Sequence, residues 1–214
     1  MNAQVVIAAR GGPNAKSRLA GRLDPARREA LVEAMLADML RAVAACPAVL
    51  RVYVTTPTPG LARLAARAGA TVILEQAADD LNGAFDRARR RIAAGDPDTT
   101  VVLLPGDLPR LTAGDLEACL ELADPSRLIL APASADAGTG ALVLGAGVAL
   151  PLAFGPGSFG KHLAAARTLR LETHVVRAPG LGFDIDRPAD LDALSALGAG
   201  GRTGALLQDW RVAA

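Results

Sequence analysis

The sequence predicts a single three-layer α/β domain, a mostly parallel sheet flanked by helices on both faces. Two observations carry this expectation. Runs such as Val101-Val102-Leu103-Leu104 are continuously apolar, as strands covered on both faces are. They alternate with longer stretches in which apolar residues recur every three or four positions, the signature of amphipathic helices, and such alternation implies parallel crossovers. The chain has 214 residues with no internal repeat and no low-complexity linker, which fits one full-sized domain.

The elements follow in order. Residues 4–9 read as a buried strand, and residues 10–17 as a Gly/Pro/Asn loop. Asp24 ahead of Pro25 offers an N-cap followed by proline at the first helical position. A helix is therefore expected over 25–45, with Leu31, Met35, Met39 and Val43 every fourth residue. It stops before Pro47, because the residue preceding proline avoids the α region. Further strands are expected at 49–55, 71–74, 101–104, 128–131 and 141–144, and helices at 59–68, 81–94, 113–123, 159–169 and 188–197. His174 also falls in a strand. The glycine-rich residues 198–201 read as a hinge to a short tail, 198–214.

Composition excludes several functions. Lys+Arg is 23 against Asp+Glu 22, so the basic excess of a nucleic-acid-gripping domain is missing. Aromatic residues are 3%, too few for base-stacking platforms. Cys46 and Cys119 form no C-x-x-C pair and read as small buried residues. The apolar run at residues 5–9 ends at Arg10 and is too short for a signal-peptide core or a membrane span. The expectation is a soluble cytoplasmic protein with no nucleic-acid or membrane partner.

In open α/β sheets, ligands bind beyond the carboxyl ends of the strands, so polar residues just after strands carry the most information. The first such loop holds Arg10, Gly11, Gly12, Lys16 and Arg18. Its glycines allow close backbone approach and its three cations suit a polyanion, although a basic surface turn would look the same. It has neither Walker nor G-x-G-x-x-G spacing. Asp107 follows the strand at 101–104 in Pro-Gly-Asp-Leu-Pro, a position suited to a hard-metal ligand; a turn aspartate is the plainer alternative. Asp184 and Asp186 sit two apart in an extended segment and so project together, and their repulsion invites Mg²⁺ or an arginine between them. Asp186 could instead cap the helix at Pro188, and Asp190 suits that helix's dipole. Finally, Gly155-Pro156-Gly157-Ser158 leads into a helix whose N–H groups favour an anion. His162, one turn on, reads as a structural hydrogen bonder. No G-x-S-x-G elbow supports a serine hydrolase.

Together the motifs A-K-S-R-L, L-N-x-A, G-D-L-P, G-T-x-A-L, F-G-P-G-S-F-x-x-H and F-D-I-D-x-P-x-D-L, spanning Lys16 to Leu191, resemble one family. They are similar to the 2-phospho-L-lactate and phosphoenolpyruvate guanylyltransferases of coenzyme F-420 biosynthesis. Those lie within the molybdenum-cofactor-guanylyltransferase-like, nucleotide-diphospho-sugar transferase-like fold. The resemblance implies transfer of GMP from GTP to the phosphate of a three-carbon phospho-acid, with release of pyrophosphate. It implies that Asp107, Asp184 and Asp186 hold Mg²⁺ and that Thr139, Gly155 and Ser158 hold the phospho-acid. Lys16 and its loop (Arg10, Gly11, Gly12) would hold the triphosphate, with Asn82 near the nucleotide and Lys16 and Asp107 as the catalytic pair. A phosphate monoester with a second pKa of about 6 is largely dianionic at neutral pH, so the implied chemistry needs no general base; it needs cations.

Two departures stand out. The family usually reads G-T-N-A-L where this chain has Gly140, and has a proline-lysine pair where this chain has Ala9-Arg10. Gly140 suggests extra room beside Thr139, leaving 2-phospho-L-lactate, phosphoenolpyruvate and 3-phospho-D-glycerate all open as acceptors. A nucleotidyltransferase for a molybdopterin or sugar phosphate, and a non-catalytic nucleotide-binding domain, are the competing readings. A homodimer is an expectation that no residue pattern fixes.

Overall fold

The computed structural model describes residues 2–75, 80–134, 137–198 and 200–212. β1 (Ala3–Ala8) is buried throughout and leads through a 3-10 turn at Ser17–Leu19 to α1 (Pro25–Ala44). Asp24 caps α1, accepting from the Arg27 N–H at 2.7 Å. Next come β2 (Val49–Thr56), α2 (Pro59–Arg67), β3 (Thr71–Leu74), α3 (Leu81–Gly95) and β4 (Thr100–Pro105). α4 (Ala113–Leu120), β5 (Arg127–Pro132), β6 (Thr139–Leu144), α5 (Ser158–Thr168) and β7 (Glu172–Val175) follow. The chain ends in α6 (Pro179–Gly182), α7 (Pro188–Leu197) and α8 (Gly201–Val212).

Among the described residues the strands form one sheet in the order β3-β2-β1-β4-β6-β5-β7. All neighbours are parallel except those of β6, which runs antiparallel to β4 and β5. Alternation along β1 shows why two helical layers are needed. Val5 and Ile7 join a core with α1, α2, α4, α7 and α8, whereas Val6 and Ala8 join one with α3 and α5. The expected row at every fourth residue, Leu31, Met35, Met39 and Val43, is wholly buried. Cys46 and Cys119 are free and buried, and burial together with nearby Asp115 pushes the Cys119 thiol up to about 12.

Two stretches differ from the sequence expectation. Residues 201–212 form a helix docked on α1 instead of a loose tail. Asp38 of α1, 5% exposed, accepts from the N–H groups of Arg202 and Thr203, both at 2.8 Å, and from Arg41 at 3.0 Å. Leu207 and Thr203 are buried, and the Arg27 guanidinium lies 5.7 Å from the Trp210 ring centroid. The short α6, with Leu181 fully buried, fills space beside β6 that the sequence reading left to a loop. No described helix is long and apolar enough to cross a membrane.

Candidate active site

The chain runs from β1 outward to β2 and β3, then returns to β4 on the other side of β1. Crossovers on opposite sides leave a crevice beyond the carboxyl ends of β1 and β4. The Gly106 N–H donates to the Ala8 carbonyl at 2.8 Å, tying the two strand ends together. From these ends Lys16 and Asp107 meet. Lys16 Nζ donates to Asp107 Oδ2 at 2.6 Å and to Asp186 Oδ1 at 3.2 Å. Arg18 holds the second oxygen of Asp186.

Lys16 adopts a left-handed backbone, φ 49° and ψ 42°, a conformation costing a non-glycine residue about 1–2 kcal/mol. Its side chain is only 11% exposed. Burial works against its charge, but Asp107 and Asp186 outweigh that effect and hold its pKa above the ordinary 10.5. The ammonium is therefore a fixed cation between two carboxylates.

Two adjoining cavities share Asp107, Asp186, Leu81 and Pro105. One, about 240 Å³, is lined by Arg10, Lys16 and Gly106. The other, about 280 Å³, is lined by Arg18, Thr139, Gly140, Gly155 and Asp184. The structure thus brings Lys16, Arg10, Asp107, Thr139, Gly155, Asp184 and Asp186, all singled out in the sequence, around one crevice.

The carboxylates divide in a way the sequence did not reveal. Asp107 Oδ1 is buried without a hydrogen-bond partner, and Asp184 lines the same cavity. Mg²⁺ commonly binds one or two carboxylates and completes its shell with phosphate oxygens, and Asp107 with Asp184 fits that pattern. Asp186 departs from the expected metal set, because both its oxygens are engaged by Lys16 and Arg18. Among the described residues no three Asp, Glu, His or Cys side chains could hold a metal alone. Nor does Asp186 cap α7. Arg187 is the N-cap residue, and Asp190 in the first turn reaches back, its Oδ2 accepting from the N–H groups of Asp186 at 2.8 Å and Arg187 at 2.6 Å.

Around the second cavity three expectations change. Asn82 lines neither cavity; its amide clasps the Phe154 backbone, donating to the carbonyl at 3.2 Å and accepting from the N–H at 2.7 Å. It anchors the Gly155–Gly157 loop, whose positive φ values of 126° and 69° suit glycine. Ser158 is fully buried, and its hydroxyl donates to Thr139 Oγ1 at 3.0 Å instead of facing the cavity. The first amides of α5 are also engaged internally, Ser158 N–H with Gly155 O and Phe159 N–H with Ala137 O.

Gly140 offers no extra room. A Cβ there would lie 1.7 Å from the Leu181 carbonyl oxygen, so α6 already occupies the space.

In the first loop the Gly11 N–H donates to Thr58 Oγ1 at 3.1 Å, and Gly12 takes φ 94°. Arg10 pairs with Glu75 at 2.7 Å, and Glu75 also accepts from Thr55 at 3.1 Å. Glu75 was missed in the sequence, although it follows β3 directly, in the kind of position that singled out Asp107. Arg18 was named only as a loop cation. His162 is fully buried and hydrogen-bonded through both ring nitrogens, as its structural reading anticipated.

Residues 3–213 match the family described as guanylyl transferase CofC like. The chain belongs to that family. Among relatives of this CofC-like guanylyl transferase, a 3-phospho-D-glycerate guanylyltransferase from Phenylobacterium zucineum is 46% identical, covering 98% of this chain and 99% of the relative. A phosphoenolpyruvate guanylyltransferase from Sphaerobacter thermophilus is 40% identical, covering 85% and 86%. The fold is shared with a structure described as a nucleotide-diphospho-sugar transferase from Desulfovibrio desulfuricans, at TM-score 0.81 and 18% identity, covering 98% of this chain and 95% of that one. A nucleotidyl transferase from Methanothermobacter superposes at TM-score 0.67 and 18% identity, covering 90% and 95%.

Proposed function

We propose that this CofC-like chain transfers GMP from GTP to the phosphate of a three-carbon phospho-acid, releasing pyrophosphate, as a step of coenzyme F-420 biosynthesis. We take 3-phospho-D-glycerate as the preferred acid, ahead of phosphoenolpyruvate and 2-phospho-L-lactate. The observation that carries the reading is the Lys16 ammonium fixed between Asp107 and Asp186, where two cavities meet. One cavity has room for a triphosphate beside Lys16 and Arg10, and the other for a small acid beside Thr139 and Gly155. The near full-length match to a 3-phospho-D-glycerate guanylyltransferase supports the choice of acid.

Two anions must approach each other in this reaction. Lys16 and Arg18 screen that approach, and electrostatic stabilisation of this kind is the main demand of phosphoryl chemistry. Asp107 and Asp184 are the residues that would hold Mg²⁺, which when bound neutralises charge on the triphosphate. The acceptor phosphate is already ionised near neutrality, so no side chain has to remove a proton. His162 is unsuited to that task, being buried with both nitrogens engaged.

The test is pyrophosphate release by the purified protein over four nucleoside triphosphates and the three acids, with product mass determined. Release that requires GTP and 3-phospho-D-glycerate is expected. Equal release without any acid, or transfer only to a sugar phosphate, would overturn the reading.

A further inference from the structure

His162 has no place in the chemistry above, yet it is wholly buried directly beneath the acid cavity. The Ala153 N–H donates to His162 Nε2 at 2.9 Å. A backbone N–H can only donate, so Nε2 carries no proton. Burial, followed by the charge of neighbouring Lys161, pushes the His162 pKa down to about 4, so near neutrality the ring is uncharged. A neutral imidazole keeps one proton, and here that proton sits on Nδ1, which lies 2.9 Å from Thr139 Oγ1. Ser158 Oγ donates to the same oxygen at 3.0 Å.

A hydroxyl has two lone pairs and one proton. With both lone pairs of Thr139 engaged from below, its proton has one direction left. Thr139 lines the 280 Å³ cavity with Gly155 and Asp184. We infer that His162 is a positioning residue that locks Thr139 as a hydrogen-bond donor aimed at the anionic acceptor, and thereby sets affinity for the acid. Phe154 keeps the ring in place, edge-on with centroids 5.2 Å apart, and Asn82 anchors the Phe154 backbone. A donor locked before the acid arrives favours oxyanions and loses no hydroxyl rotation on binding.

The inference rests on the acid-cavity reading, but its first test is independent of activity. In ¹⁵N-histidine-labelled wild-type protein at pH 7, with the His174→Gln variant assigning the second histidine, His162 should show a single Nδ1-protonated tautomer. An Nε2-protonated ring or an imidazolium would overturn the inference. The second test is kinetic. Thr139→Val and His162→Leu should each raise KM for the acid about tenfold to a hundredfold, as loss of a hydrogen bond to a charged group does, with KM for GTP unchanged. Combined, they should raise it no further than Thr139→Val alone. His162→Asn, which keeps a donor near the Nδ1 position, should recover part of the loss and serves if His162→Leu does not fold. Multiplying effects, or equal increases in both KM values, would make the histidine merely structural. Failure of wild-type protein to use any acid would sink the functional reading and leave the tautomer to decide the hydrogen-bond relay.

Discussion

Gly140→Ala adds one methyl group and is expected to damage the fold without retuning acceptor choice. The new Cβ would stand 1.7 Å from Leu181 O and 2.9 Å from Leu181 C. Ordinary non-bonded separations are about 3.3–4.0 Å, so the α6 backbone must retreat by well over an ångström. That backbone is not loose. Leu181 is fully buried, the Gly180 N–H donates to Asp115 at 3.3 Å, and the Gly182 carbonyl accepts from the Ser134 N–H at 2.8 Å. Overpacking typically costs about 1–3 kcal/mol when side chains can yield; here a backbone must yield, so the upper end applies. For a domain of this size about 3 kcal/mol corresponds to about 6–12 °C in Tm. Thermal unfolding of wild type, Gly140→Ala and Gly140→Asn measures this directly, alongside kcat/KM for the three acids. A Gly140→Asn protein that melts with wild type and redistributes activity among the acids would refute the packing argument and restore the sequence-based idea that position 140 reads the acceptor.

Asp107→Asn keeps shape but removes the charge facing Lys16 and the unpaired Oδ1 acceptor geometry; turnover should fall at least about 10²-fold, checked by pyrophosphate release at saturating substrates. His162 links stability to pH. Its folded pKa of about 4 lies below the unfolded 6.5, so between these values the unfolded chain binds the extra proton. Its contribution is complete above pH 6.5 and is lost as pH falls toward 4; it amounts to about 3 kcal/mol at about 1.4 kcal/mol per pH unit. Chemical unfolding from pH 7 to 4 should show a steeper loss in wild type than in His162→Asn, and identical profiles would count against the buried neutral ring. Asp38→Ala strips the acceptor from the N–H groups of Arg202 and Thr203; a loss of about 2 kcal/mol should lower Tm by about 4–8 °C while guanylyl transfer at 25 °C is unaffected.

Much of this was legible because local chemistry and global packing agree. Asp24-Pro25 announced α1, the four-residue spacing from Leu31 to Val43 gave its buried face, and the rule of looking past strand ends found Lys16 and Asp107. What escaped depends on contacts between distant residues. α8 begins in glycines and is held by a carboxylate 164 positions earlier, so no local signal separated it from a tail. Gly140 looked like vacated space because nothing in the sequence announces that the Leu181 carbonyl fills it. Ser158 and Asn82 were read from their motifs as ligand contacts; which way each side chain turns is decided by Thr139 and Phe154, which the motifs do not orient. Asp184 and Asp186, only two residues apart, were assigned one role, but Lys16 and Arg18 reach the second and so divide the pair.

The Asp38 cap also has a consequence during synthesis. Asp38 leaves the ribosome more than 160 residues before the amides it accepts. Through most of translation α1 therefore carries a carboxylate whose final partners have not been made, and the groove that α8 covers is open. A carboxylate keeps that groove hydrated and poorly suited to wrong apolar partners. Residues 201–212 can cover it only once they have been synthesised, long after α1 itself.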